Sequence, residues 1–281
     1  MKYLAVLLPL CGLVGFGQDS VKITSASSGF TGSAHFGSPH GPVAAVAGAP
    51  YCGELVSGNV QTLADGTHIT RDEQPTKTCR DSAGRTRSER FVFRGSRETE
   101  GAPNAPVIVE INDPVAQVRY VLDTQGKIAH RQSLLSPNRP TLRRSAAPEG
   151  APLTANAPSA HIETASRSTD PNGPQTTAEK LEAQVIEGVL AEGRRTTTTW
   201  PEGSRLGNDR PVSVVTESWR SPELQTVLLR KTIDPRSGEH TERMTNLTRT
   251  EPDPALFQPP PDYSIVDEKE DFTIKWESGP Q

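Results

Sequence analysis

The residues that could do chemistry in this chain are six histidines, three cysteines and 34 carboxylates. Outside His35 and His40, which fall in a stretch that we interpret as solvated linker, no two histidines stand at metal-ligand spacing. The segment His240-Thr-Glu242 matches half of a zinc deaminase signature but lacks its two cysteines. We therefore predict no metal site from the histidines, which stand at 35, 40, 68, 130, 161 and 240.

The chain also lacks the short motifs that mark catalytic and cofactor sites. It has no nucleophile elbow, zinc-protease motif, phosphate-binding loop or dinucleotide fingerprint. Segment 170–173 lacks the ligand spacing of a calcium loop. No pair of carboxylates stands out, and strand alternation predicts exposed side chains for Glu54, Glu110, Glu187 and Glu217. We expect no catalytic residues, no cofactor and no enzymatic activity.

Two cysteines predict a structural disulfide. Asp65-Gly66 favours a two-residue type I′ hairpin, and Cys52 and Cys79 lie equally far from it on the two sides. The hairpin would place them directly opposite each other, within disulfide reach. Pro75 cannot donate to an unbroken ladder, so we expect a bulge near it or an edge position for its strand. Without a C-x-x-C motif, a redox-active pair is not indicated.

The first residues predict export. Met1 and Lys2 precede an apolar run over 3–16, which ends in Gly15-Phe16-Gly17, a small-x-small site. This is the pattern of a signal peptide over 1–17, so we expect a periplasmic or secreted protein. Lipidation at Cys11 is not favoured, because Leu10 stands where a lipobox has a small residue. The run is too short to span a membrane, and no second candidate follows.

The charge balance argues against a nucleic-acid partner. Removal of 1–17 takes away one lysine and no acid, which changes the net charge from −4 to −5. The densest basic cluster, over 85–94, contains Glu89 and alternates as on a solvated strand face. No basic stripe for nucleic acid or an anionic membrane is indicated.

Composition divides the mature chain into linkers and folded blocks. The chain has 33% hydrophobic residues, 23 glycines and 25 prolines, unevenly distributed. Segments 18–50 and 136–178 are rich in Ser, Ala, Gly and Pro, which predicts disordered linkers. Segments 51–135 and 179–266 are each large enough for a modest core. The acidic tail over 267–281 is expected to be loose.

Both blocks predict a mostly β fold of antiparallel strands. In the first block, runs between turn signals predict strands over 51–64, 67–80, 85–94, 106–112, 116–122 and 127–132. In the second, strands are predicted over 189–200, 211–219, 224–233 and 240–249, while over 179–184 a strand competes with a short helix. One helical turn within 251–257 should deliver Leu256 and Phe257 to the sheet. The blocks could form one continuous half-barrel-like sheet, which we favour because each is marginal alone, or two separate units.

Several segments resemble a class of exported acidobacterial proteins to which no activity is attached. They include Glu217-Ser-Trp219-Arg-Ser-Pro-Glu-Leu224, Asp234-Pro-x-x-Gly238, Glu251-Pro-Asp-Pro-Ala-Leu-Phe257 and Pro261-Asp-Tyr263. Thr62-Leu-Ala-Asp-Gly66 and the run over 80–87 belong to the same likeness. The resemblance covers most of the predicted blocks.

The C-terminal pattern also resembles the periplasmic lipoprotein-carrier superfamily, which includes a lipid-binding envelope-stress sensor. A strand is followed by Asp253-Pro-Ala-Leu-Phe257, then prolines and a closing strand, over about forty residues. This resemblance implies an antiparallel half-barrel with an apolar lining. The helices that would close such a fold are not evident in this chain.

Three functions remain open. The first is a non-enzymatic envelope binding or interaction protein, and the second narrows this to a carrier or sensor of lipid or lipoprotein acyl chains. The third is a hydrolase with an unfamiliar site. Large aromatic residues of the second block could line a ligand groove or could simply be core, the option that we favour; they are Trp200, Trp219, Phe257 and Tyr263.

Overall fold

The computed structural model describes residues 20–26, 29–37, 45–92, 107–134, 166–167 and 172–277. The predicted signal peptide over 1–17, Cys11, His40 and His161 lie outside these residues. The described chain is almost entirely antiparallel β-sheet, as predicted. The helical turn predicted within 251–257 is present as a single 3-10 turn, Pro254–Phe257.

The described strands are β1 Ser20–Ala26, β2 Gly29–Phe36, β3 Tyr51–Thr62, β4 His68–Asp72, β5 Thr76–Arg80, β6 Thr86–Phe91, β7 Val107–Asp113, β8 Val118–Asp123, β9 Ile128–Ser133, β10 Ser166–Arg167, β11 Gln175–Ile186, β12 Val189–Trp200, β13 Val212–Ser221, β14 Thr226–Asp234, β15 Gly238–Thr248, β16 Ser264–Asp267 and β17 Phe272–Glu277. The strands predicted in the two blocks are present in their predicted order, with the run over 67–80 divided into β4 and β5, whereas β1, β2, β10 and β17 lie where linkers and a loose tail were predicted.

The two blocks form one continuous open sheet. Among the described residues it has 14 strands, in the order β10-β11-β12-β13-β14-β15-β3-β5-β6-β7-β8-β9-β16, with β4 paired to β3. The joint is the antiparallel pair β15–β3, in which Glu239 lies opposite Val60 and Thr248 opposite Cys52. The separate-units alternative does not describe this chain.

Arg80 joins the blocks a second time. Its guanidinium is buried and donates to the carbonyl oxygens of Ala49, at 3.0 and 2.8 Å, and of Leu224 in the β13–β14 turn. It also lies 4.8 Å from the ring centroid of Tyr51. Burial lowers the pKa of Arg80, since desolvation disfavours its charged form. A buried cation of the first block is thus held by a main-chain dipole of the second block and by that of Ala49, just before the first block.

The sheet half formed by β6–β9 is covered on both faces. On one face, Ile108 and Val121 pack against β2 and β17, whose Phe36 and Trp276 are 0% and 1% exposed. On the other, Ile111 packs with Phe257 from the 3-10 turn. The predicted delivery of Leu256 and Phe257 to the sheet is confirmed, although they reach the first block rather than the second.

Parts of the predicted linkers and of the acidic tail form strands. β1 and β2 lie within 18–50, and β10 and the start of β11 lie within 136–178. In the tail, β17 pairs with β2 and buries Phe272, Ile274 and Trp276 in the inter-sheet core. These three alternate with polar residues, so the strand has one apolar face despite the acidic composition around it.

Glu110 is largely buried, with 14% of its side chain exposed, which corrects the prediction of an exposed carboxylate. Its oxygens accept from Arg119 at 3.0 Å and from Arg90 at 3.2 Å, and the Arg119 side chain is 0% exposed. Burial alone would raise the pKa of Glu110, but the charges of Arg119 and then Arg90 outweigh it and lower the pKa. The alternation of side chains along a strand predicts exposed residues only where one face of the sheet is in contact with solvent. The face that carries Glu110 is instead covered by β2 and β17.

The Cys52–Cys79 disulfide is confirmed, although its predicted turn is wrong. The hairpin closes with Leu63 N donating to the Thr67 oxygen, and of the predicted pair only Gly66 has positive φ, so no type I′ turn forms. That shifts β3–β4 by one residue. Residues 73–75, between β4 and β5, shift the register back, and β5 pairs with β3 so that Cys79 lies opposite Cys52. The expected irregularity near Pro75 is therefore present.

We predict that Glu110→Gln lowers the free energy of unfolding by about 3–5 kcal/mol, because it takes the carboxylate from the fully buried Arg119. Urea denaturation followed by circular dichroism measures this. Glu223→Gln is the matched control, since its carboxylate is 58% exposed and pairs with Arg249 at 3.1 Å. The control should change stability by less than about 1 kcal/mol. Equal effects of the two variants would contradict a structural role for the buried pair.

Reduction should destabilise the protein by about 3–4 kcal/mol, because the disulfide closes a loop between cysteines 27 residues apart. Calorimetry with and without reductant measures the change in Tm. The Cys52→Ala/Cys79→Ala variant should melt at the reduced protein's temperature and be insensitive to reductant. An unchanged melt of the wild type in reductant, with free thiols verified, would refute the stabilising role.

Candidate functional site

The half of the sheet formed by β11–β15 is less covered than the other half, although it contains a buried cluster that includes Ala191, Leu228 and Met244. In β13, residues 212–219 are all half-buried, whereas β7 contains the fully buried Ile108, Val109 and Ile111. Among the elements that the structure describes, the main contacts of β12, β13 and β14 are with their sheet neighbours alone. Side chains of both faces in this half can therefore meet a ligand.

One face, here named the tryptophan face, has an apolar row. Trp219 lies opposite Gly193 on one side and Leu229 on the other, and Leu229 is followed by Arg243 and Val56. Directly opposite residues in antiparallel strands share a face, so these side chains stand side by side. The row is apolar except for Arg243.

The Trp219 ring is held in place by its surroundings. Its Nε1 donates to the main-chain oxygen of Glu182 at 3.2 Å. A Cβ at Gly193 would lie 2.7 Å from that Nε1 and 2.7 Å from Leu181 Cβ, so only glycine leaves room for the indole. The ring packs partly against a buried cluster that includes Leu228 and Met244. The tryptophan face thus has a fixed aromatic surface at its centre.

A charged row runs beside the apolar row on the same face. Arg195 donates to Glu179 at 2.6 Å and to Glu217 at 2.7 Å, from the two neighbouring strands. These hydrogen bonds, the one to Glu217 first, raise the pKa of Arg195. Lys231, the next residue in this row, pairs with Glu239 at 2.9 Å. Each cation of this row therefore has a carboxylate partner.

The opposite face, here named the threonine face, has a row of hydroxyl groups. Thr196, Thr216 and Thr232 lie in register, and the last two hydroxyls are 3.4 Å apart. His240 and Asn59 continue the row on β15 and β3. The run over 196–199 is strand, as its β-branched residues predict. This row offers hydrogen-bonding groups without carboxylates.

The structure places the four predicted groove aromatics in three locations. Trp219 lies on the tryptophan face, and Trp200 lies at the end of β12 with the Arg236 guanidinium 5.5 Å from its ring. Phe257 and Tyr263 lie together in the first block's core, where Phe257 is 2% exposed. Burial raises the pKa of Tyr263. Only Phe257 and Tyr263 are brought together.

The described histidines have structural surroundings. His68 Nδ1 lies 3.1 Å from the Thr62 hydroxyl. His130 Nδ1 lies 2.8 Å from Glu268, and its ring stacks on Phe272 at 4.5 Å between centroids. Within the described residues, no three or more His, Cys, Asp or Glu side chains group as metal ligands would. None of the described helical segments has the length and hydropathy needed to cross a membrane.

Sequence reasoning identified Trp219 but not the rows around it. The rows depend on the register between β12, β13, β14 and β15, and on the bulge between Trp219 and Arg220. Glu187 and Gly188 both have positive φ and form the two-residue turn that sets the register of the β11–β12 hairpin. The Glu-Gly dipeptide before a predicted strand is the sequence signal that could have indicated this turn.

Comparison with known proteins returns similar folds rather than relatives. No family model matches the chain, and no curated protein matches its sequence. One similar solved structure is an outer membrane lipoprotein-sorting protein domain from Vibrio parahaemolyticus, with 10% identity, 76% of this chain and 91% of that chain covered, and a TM-score of 0.26. Another is a DUF1329 family protein from Desulfovibrio piger, with 9% identity, coverages of 75% and 90%, and a TM-score of 0.19. Both TM-scores are low, and we draw no argument from either structure.

Proposed function

We propose that this protein is an exported, non-enzymatic binding protein of the cell envelope, and that its tryptophan face contacts the ligand. The observation that supports this most directly is the row of Trp219, Leu229 and Val56 on an uncovered sheet. Half-buried apolar side chains around a fixed indole form the kind of surface that a partner can desolvate. Export is supported by the sequence pattern over 1–17.

A second candidate is an acyl-chain carrier or sensor. The apolar row supports it, because Leu181, Trp219 and Leu229 form a narrow band on adjacent strands. Such a band could cover one side of an extended hydrocarbon chain. The charged row of Arg195 and its two glutamates would lie alongside the chain. No cluster of described residues favours the hydrolase alternative.

The first test is native mass spectrometry of the protein purified from its own cell envelope, followed by organic extraction. An extractable lipid or acylated peptide, lost in Trp219→Ala, supports the carrier. Trp200→Ala is the matched control, since this indole lies away from the apolar row and should leave the adduct unchanged.

If the protein is free of adduct, a photo-crosslinking residue at position 229 identifies the partner. Position 115 serves as the control, because Val115 is 70% exposed and lies outside the open half. A partner captured at 229 but not at 115 supports a binding protein. No capture at 229, or equal capture at both positions, contradicts a ligand role for the tryptophan face.

The absence of catalysis is tested by the histidines. We expect His68→Ala, His130→Ala and His240→Ala each to leave ligand binding within about threefold of wild type, equivalent to less than about 0.7 kcal/mol. The same titration applied to each purified variant measures this. A much larger loss of ligand affinity in one folded variant would contradict the non-enzymatic proposal and would favour the hydrolase alternative.

A further inference from the structure

The threonine face has a second row whose charges are not balanced. In register across the strands, this row consists of Lys180, Arg194, Ser218, Arg230 and Glu242. Arg230 donates to Glu242 at 3.3 Å. Lys180 and Arg194 are both exposed, lie directly opposite each other, and make no ion pair with any described residue. Two like charges therefore stand about 5 Å apart at Cβ.

The other face of the same strands shows that this arrangement is not a general property of the region. One residue along each strand, Glu179, Arg195 and Glu217 alternate in sign and form two ion pairs. On the threonine face the corresponding positions are Lys180, Arg194 and Ser218, with no carboxylate among them; Glu192, the next residue of β12 on this face, lies opposite Arg220 rather than Lys180. Like charges directly opposite destabilise a sheet, so the free protein gains no stability from this pair.

Hydroxyl groups border the two cations. Ser218 lies opposite Arg194, and Thr196 lies two residues along β12 from Arg194 on the same face. Thr216 and Thr232 continue the uncharged row across the next two strands. The surface thus combines two cations without partners with a parallel line of hydroxyl groups.

We propose that the threonine face binds a carboxylated polysaccharide. Lys180 and Arg194 pair with its carboxylates, while Ser218, Thr196 and Thr216 exchange hydrogen bonds with its hydroxyl groups. The inference goes beyond the proposed function, because it concerns the face opposite Trp219 and a different ligand class.

The charge density favours this occupant over other anions. Two unpaired cations lie among hydroxyl groups on strands spaced about 4.8 Å apart. The carboxylates of an acidic peptide would pair with the two cations, but such a peptide has no row of hydroxyl groups to hydrogen-bond with the threonine and serine hydroxyls. A polymer that alternates carboxylates with hydroxyls matches both rows.

The test is titration calorimetry at low salt with polygalacturonate oligomers. Wild type should bind, Lys180→Gln/Arg194→Gln should bind about three- to tenfold more weakly, and uncharged dextran should not bind. Arg243→Gln is the matched control, since it removes an exposed cation from the tryptophan face and should leave affinity unchanged. No binding of polygalacturonate by wild type, or equal losses in the two variants, would overturn the proposal. Equally tight binding of poly-glutamate through the same two cations would also overturn it, in favour of an acidic protein segment.

A charge reversal separates binding from folding. Arg194→Glu places a carboxylate opposite Lys180, so it should raise the Tm by about 1–3 °C while it weakens polygalacturonate binding by about tenfold or more. A variant that melts higher and binds less cannot owe the loss to unfolding. Full binding by this variant would refute the role of the cationic pair, whatever the result with the tryptophan face.

Discussion

The pairing of β15 with β3 is the constraint on which the rest of this structure depends. It brings together residues as far apart in sequence as Cys52 and Thr248, whose main-chain oxygen and side-chain hydroxyl lie 3.4 Å apart. Such long-range pairing costs loop-closure entropy before any contact compensates for it. In return, each block loses an open edge, and Arg80 of the first block gains the carbonyl acceptor of Leu224 in the second.

The β15–β3 pairing also joins a half of the sheet that is covered on both faces to a half that is more exposed. The half around β6–β9 is covered by β2 and β17 on one face and by the 3-10 turn on the other, and it holds the buried Glu110–Arg119 pair. Among the described residues, the half around β12–β14 packs mainly against its own sheet neighbours and contains only the buried cluster around Leu228 and Met244. Because it continues the same hydrogen-bonded ladder, the uncovered half is anchored by the covered one. It can therefore display half-exposed rows that could not fold alone.

Local patterns predict much of this fold and less of its surface. Turn residues and β-branched runs predict the ends of β12 and β15 to within two residues. The disulfide pairing is predicted from the equal distances of the two cysteines from a turn. That pairing is right because the one-residue shift at Gly66 is reversed over 73–75, which no local rule reveals. The burial of Glu110 and the order in β17 depend on a sheet-to-sheet contact that is absent from local sequence. The rows of the open half depend on non-local register, so only Trp219 among their members could be identified beforehand.

The alternation of a strand lets neighbouring residues serve unrelated surfaces. Arg194 and Arg195 are adjacent in sequence, yet one faces Lys180 and the other bridges two glutamates. Charged side chains that alternate in sign across neighbouring strands, as on the tryptophan face, would be enough to keep both faces soluble. Solubility alone does not explain why Lys180 lies opposite Arg194 on the threonine face. Binding of an anionic ligand would explain this pair without any change in the fold. The same ladder that sets Trp219 beside Leu229 also sets the two cations side by side, so both surfaces follow from a single register.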